Sequence, residues 1–169
     1  MSANKMVRVW LGLGSNIEAE KHIRSAVYAL RTHYNGLVIS PVYESESVGF
    51  EGDNFLNLVI GLETDETLED LTLILKAIED ANGRSRVGEK FSSRTLDIDI
   101  LTYGQEDLTE DGINIPRHEI LTYAFVLKPL SDVAPDEVHP HVGINYQKLW
   151  DGFDQKSQPM QLYPMNFDS

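Results

Sequence analysis

The chain has 169 residues, no cysteine, and 14 Lys+Arg against 27 Asp+Glu, a formal charge of -13. Without cysteine neither a disulfide framework nor a thiolate metal site is possible, and the composition suits a reducing compartment, the cytoplasm. The negative balance argues against nucleic acid or an anionic membrane as a partner, and no segment approaches the length of a membrane span.

A chain of this size buries about two-thirds of its unfolded surface, so one domain over 1–169 is expected. "VRVWLGLG" (7–14) reads as a strand, and "GSN" as the turn that leaves it, with Ser15 and Asn16 placed to cap the next element. Ile23, Ala26, Val27 and Leu30 have helical spacing, which predicts a helix over 18–33 stopped by Gly36. "LVISPVYES" (37–45) and "NLVIGLET" (57–64) are strand-like runs. Thr67 and Asp70 form a capping pair for a second helix, with Leu68, Leu71, Leu75 and Ile78 inward and Gly83 as its stop. "TLDIDILTYG" (95–104) is the next strand. This order is βαββαβ: an α+β, ferredoxin-like core, an antiparallel-rich sheet with both helices packed on one face. Beyond 104 the pattern weakens to a turn and short helix from 116, a second short helix in "GINYQKLW", and a polar, loosely held tail over about 153–169.

Chemistry concentrates before and within the last strand of that core. Period-two alternation puts Asp97 and Asp99 on one face and Leu96, Ile98 and Ile100 on the other. Two like charges so placed repel, and one should protonate unless a cation lies between them. Mg²⁺ suits such a pair, because it takes one or two carboxylates and completes its sphere with water and phosphate. Arg84, Arg86, Lys90 and Arg94 crowd the eleven residues just upstream, "RSRVGEKFSSR", where guanidinium groups would meet phosphate oxygens. A bare D-x-D, or a basic run alone, is more often a solvated surface; the two together at a short offset carry the signal. "GLGSN" is neither a dinucleotide fingerprint nor a phosphate loop, since Ile17 takes the third glycine position and no Lys-Ser pair follows. The five histidines, including the "HPH" pair His139 and His141, read as surface residues and not as a zinc site.

"GLGSN", "VYESESVGFEGDNFLN", "IEDANGRSRVGEKFSSRTLDIDIL" and "AFVLKPLSDVAPD" together resemble the 6-hydroxymethyl-7,8-dihydropterin pyrophosphokinases of folate biosynthesis, over residues 7 to about 151. The resemblance implies diphosphate transfer from ATP to a pterin alcohol, with ATP and hydroxymethyldihydropterin as the small-molecule partners, two Mg²⁺ ions in the site and a monomeric enzyme. It implies that Asp97 and Asp99 hold the metal, and that Arg84, Arg94, Asp97 and Asp99 carry catalysis. Arg84, Arg86, Arg94, Ile100, Arg117 and His118 match nucleotide positions, while Ser45, Val48, Phe55, Asn57, Phe91, Asp97 and Phe125 match pterin positions, with Phe91 and Phe125 as the stacking pair. The stretch 83–93 is expected to order over bound ATP.

Five positions depart from the family pattern. Phe91 replaces a frequent tryptophan, Ser92-Ser93 a small Gly-Pro-like pair, Arg117 a common histidine and Tyr123 a frequent arginine. Arg117 keeps a positive charge, so a divergent enzyme is the reading. Its alternative is a non-catalytic paralogue that binds pterin or nucleotide as a regulatory or interaction module.

Overall fold

Val9, Leu11 and Leu13 alternate with Trp10, Gly12 and Gly14 along the first strand, and this alternation divides the fold into two unlike faces. The computed structural model describes residues 5–46, 53–83 and 95–167. Strand β1 (Val7–Ser15) leads to α1 (Ala19–His33), the short strands β2 (Val38–Ile39) and β3 (Val42–Ser45), and the long β4 (Phe55–Thr64). Helix α2 (Leu68–Ala81) and β5 (Asp97–Tyr103) complete the core, which follows the βαββαβ plan with its second strand broken into β2 and β3. The sheet is antiparallel in the order β5-β1-β4-β3-β6, where β6 is Gln161–Tyr163 and β2 pairs with β4 beside β3. Among the described residues no helix is long and apolar enough to cross a membrane.

The first face is closed. Leu11 and Leu13 from β1, Leu58, Ile60 and Leu62 from β4, Ile98 from β5 and Leu96 just before it pack under Ile23, Val27 and Leu30 of α1 and Leu71, Leu75 and Ile78 of α2. Both helices lie there as their apolar spacing requires. Thr67 caps α2 through Asp70 N–H, and Gly36 and Gly83 take the left-handed conformation after their helices.

The second face is only half covered. Helices α3 (Glu119–Thr122), α4 (Ala124–Val133) and α5 (Tyr146–Asp151) follow, and Leu127, Leu130 and Tyr146 bury Trp10, Val59 and Leu101. The Trp10 indole reaches over Gly61, its cross-strand partner, and donates Nε1–H to Glu137 Oε1 at 3.0 Å.

Several expectations are corrected. The run 37–45 is not one strand: Pro41 has no N–H for the ladder, and Ser40 turns its hydroxyl to Val59 N–H at 2.8 Å. Ser15 and Asn16 do not cap α1, whose N-cap residue is Glu18 in a left-handed conformation; Asn16 donates instead to the Asp53 carbonyl. His22 and His139 are buried, not surface residues. His22 Nδ1 meets Asn82 Oδ1, joining α1 to the end of α2, and His139 Nδ1 accepts the His141 and Val142 N–H groups of its own turn. The tail is not loose either. Its strand β6 pairs with β3, and Arg24 and Arg31 donate to the carbonyls of Asn166 and Phe167.

A Cβ on Gly61 would stand 2.4 Å from the Trp10 ring, and the ring has no open side to move into. Gly61→Ala is therefore expected to cost about 1–3 kcal/mol of stability, the usual range for an overpacked core. Denaturant unfolding of the variant against the parent measures it.

Candidate active site

Cross-strand register builds the floor of the open half. Gly14 pairs with Asn57 on one side and Asp97 on the other, and Gly12 pairs with Val59 and Asp99. Two rows therefore run across β4, β1 and β5 with glycine at each centre. A Cβ on Gly14 would lie 2.6 Å from Asn57 Oδ1, so the buried asparagine lies over this glycine. Among the described residues the Asn57 amide makes no hydrogen bond. Asn57 lines the cleft, where its amide is open to the polar edge of a ligand.

Walls rise around this floor to enclose a cleft of about 680 Å³. Ser45 and Phe55 line it from β3 and β4, Arg117 and Glu119 from the segment after β5, and Tyr123 and Phe125 from the start of α4. The Tyr123 and Phe125 rings stack, with centroids 5.0 Å apart and planes 19° from parallel.

A bulge places the cation. The β1–β5 register shifts between Trp10 and Leu11, and Leu101 is the extra residue on β5. Its carbonyl accepts the Arg117 N–H at 2.8 Å, which brings the Arg117 side chain beside Asp99, with Nη2 3.6 Å from Oδ1. On its other side Arg117 Nε donates to Glu119 Oε2 at 2.5 Å. Glu79, buried at the end of α2, accepts Ile98 N–H at 2.7 Å and fixes the strand between the two aspartates.

Burial pushes the Asp99 carboxyl up from 3.8 to about 6; Arg117 opposes the shift, and Asp97, Glu119 and Glu79 add to it. Because 45% of the Asp99 side chain faces the cleft, solvent screens part of this effect. The donor set is thus two carboxylates on one strand face. Among the described residues no cluster of three or more His, Asp or Glu is placed to hold a metal ion, so the other positions around a cation here would fall to water and ligand oxygen.

The structure brings Ser45, Phe55, Asn57, Asp97, Asp99, Arg117 and Phe125 into one cleft. Two residues with expected nucleotide contacts lie elsewhere. The Ile100 side chain faces the helix-covered core, as strand alternation requires, and His118 is 72% exposed and turned to Glu119. Val48, Arg84, Arg86, Lys90, Phe91 and Arg94 lie outside the described residues. Sequence reading missed three contributors. Gly12 and Gly14 form the floor, a signal present as a G-x-G aligned in period with D-x-D. Tyr123, read only as a departure, stacks on Phe125, and Ser157 to Met160 of the tail join the wall with no local signal.

Paired carboxylates, a guanidinium and a stacked aromatic wall over a glycine floor thus line one cleft. The family model described as 7,8-dihydro-6-hydroxymethylpterin-pyrophosphokinase matches residues 10–135. The chain is 35% identical over 137 residues to the 2-amino-4-hydroxy-6-hydroxymethyldihydropteridine pyrophosphokinase of Aquifex aeolicus, covering 80% of this chain and 85% of that one. It is 39% identical over 133 residues to the Pseudomonas aeruginosa protein of the same name, covering 76% and 82%. A crystal structure of Plasmodium falciparum HPPK-DHPS with pterin and p-hydroxybenzoate superposes with TM-score 0.69 at 16% identity, over 89% of this chain and 44% of that one, a likeness of fold. The chain belongs to the 7,8-dihydro-6-hydroxymethylpterin-pyrophosphokinase family. It is an enzyme of pyrophosphoryl transfer in folate biosynthesis.

The raised Asp99 carboxyl sets a pH dependence in the metal-free protein. The folded state holds this proton more tightly than the unfolded chain, so stability is lost as pH rises from about 3.8 through about 6. Asp99→Asn removes the ionisation. Without divalent cations the variant is expected to melt higher than the parent above pH 6, with the difference closing toward pH 4; thermal melts across this range test it.

Proposed function

We propose that this cleft moves the terminal diphosphate of ATP to the hydroxymethyl oxygen of 6-hydroxymethyl-7,8-dihydropterin, releasing AMP. The observation that carries this reading is the shared floor, where Asp97 stands in register with Gly14, which underlies Asn57, and Asp99 with the neighbouring Gly12. The pterin oxygen attacks the β-phosphorus, the bond to the α-phosphate oxygen breaks, and the hydroxymethyl proton passes to solvent. No covalent enzyme intermediate is needed, because such transfer depends on in-line positioning and on neutralising spread negative charge.

Each side chain has a role in that scheme. Asn57 presents its amide to the pterin's amide and amino edge, and Phe125 and Phe55, both lining the cleft, meet its faces, while Phe91 of the expected stacking pair lies outside the described residues. Asp97 and Asp99 would hold Mg²⁺, two ions per site, and their hard oxygens fit that metal. Bound there, the metal supplies charge neutralisation for the polyphosphate. Arg117 balances the acid pair in the free enzyme and turns to phosphate oxygen when nucleotide binds, taking the place of the histidine usual in the family. Arg84, Arg86 and Arg94 are assigned to the outer phosphate oxygens by resemblance alone.

Asp97→Ala is expected to abolish AMP release with the fold intact, since it removes a ligand and also relieves like-charge repulsion. Wild-type turnover in this variant would end the metal assignment. Arg117→Ala should raise the KM for MgATP about tenfold, the worth of one charge-assisted hydrogen bond in a partly open site, with little change for the pterin. Arg117→His should retain activity and gain a step between about pH 6 and 7 that the parent lacks. Steady-state kinetics across pH reads both variants.

A further inference from the structure

The family match ends at residue 135, yet part of the cleft wall comes from beyond it. Helix α4 starts at Tyr123 without a side-chain cap, and its first N–H groups need acceptors. Gln158 supplies one from the tail. Its Oε1 accepts Ala124 N–H at 2.9 Å, and its Nε2 donates to the Thr122 carbonyl at 2.9 Å. One amide thus grips the backbone on both sides of Tyr123, whose ring stacks on Phe125 in the cleft.

The same tail reaches the opposite wall. Strand β6 pairs with β3 through Glu44 with Gln161 and Tyr43 with Leu162. One step further in that register sets Met160 against Ser45, which is itself paired with Phe55. Met160, Ser45 and Phe55 all line the cleft. Arg24 and Arg31 fasten the far end through the Asn166 and Phe167 carbonyls, and the Arg24 guanidinium lies 5.6 Å from the Phe167 ring centre. The tail is therefore held at both ends of the stretch that meets the cleft.

We infer that residues 157–160 form a specificity wall of the pterin half of the cleft, and that Gln158 is a positioning residue that sets the Tyr123–Phe125 stack against the ring. This rests on the placement of the pterin proposed above. The side chain acts through α4 and not on the reacting atoms, so its loss falls on one ligand.

Calorimetry with hydroxymethyldihydropterin, at saturating Mg²⁺ and a non-hydrolysable ATP analogue, tests the inference in the full chain. Gln158→Ala should raise the pterin Kd about tenfold while the Kd of the ATP analogue stays within about twofold. The melting temperature should move by no more than about 4 °C. Gln158→Glu keeps the acceptor for Ala124 N–H and should recover part of the pterin affinity. Equal weakening of both ligands would overturn the inference, because Gln158 would then serve the fold alone. An unchanged pterin Kd in Gln158→Ala, beside a raised one in Asn57→Ala, would overturn the tail's role and leave the pterin placement standing. An unchanged pterin Kd in both variants would overturn the two together.

Discussion

Everything at the cleft depends on the register of three antiparallel strands. With Gly14 set between Asn57 and Asp97, and Gly12 between Val59 and Asp99, the amide and the carboxylates face one space with no side chain between them. A slip of one residue would send every one of these groups to the opposite face. The helix-covered face prevents that slip, because Leu11, Leu13, Leu58, Ile60 and Ile98 would then leave the core. Burial of apolar surface on one side of the sheet thus fixes polar geometry on the other, at roughly 25 cal/mol per Å² removed from water.

The charged part of the site is balanced rather than neutral. Arg117 stands between Asp99 and Glu119, while Glu79 contributes a further buried carboxylate behind the strand. One guanidinium is shared among these acids, and the Asp99 carboxyl stays raised because burial outweighs the pull of Arg117, with the neighbouring carboxylates adding to the rise. Among the described residues the acids outnumber the cations of the cleft, an arrangement that would leave room for divalent charge beside the polyanionic substrate proposed above.

The sheet core and the D-x-D face were legible because period-two and helical spacing are local signals, readable from Asp97, Asp99 and the stripe Ile23, Ala26, Val27 and Leu30. Asn57, Phe55 and Arg117 were reachable through family resemblance, which preserves position where chemistry alone is ambiguous. Other parts are products of tertiary contact. The meaning of Gly12 and Gly14 appears only once their neighbours across the sheet are known, and the bulge at Leu101 leaves no mark in "DIDILTY". Gln158 lies 34 residues from Ala124, and β6 has only three residues, too few for any period to show. His22 and His139 look like surface residues because their buried partners, Asn82 and a backbone turn, are recognisable only in space.

The short last strand has a consequence for the solution behaviour of the chain. Open sheet edges invite pairing with another molecule, and natural sheets keep them short or covered. On one side Glu79 occupies the Ile98 N–H of β5, and on the other β6 occupies the outer groups of β3. Beyond β6 the edge that remains is three residues long, although Leu162 on it is 65% exposed. A chain cut short before this strand would uncover the ladder groups of β3 beside the aromatic wall of the cleft. Edge-to-edge self-association, not simple unfolding, is the failure that such a truncation invites.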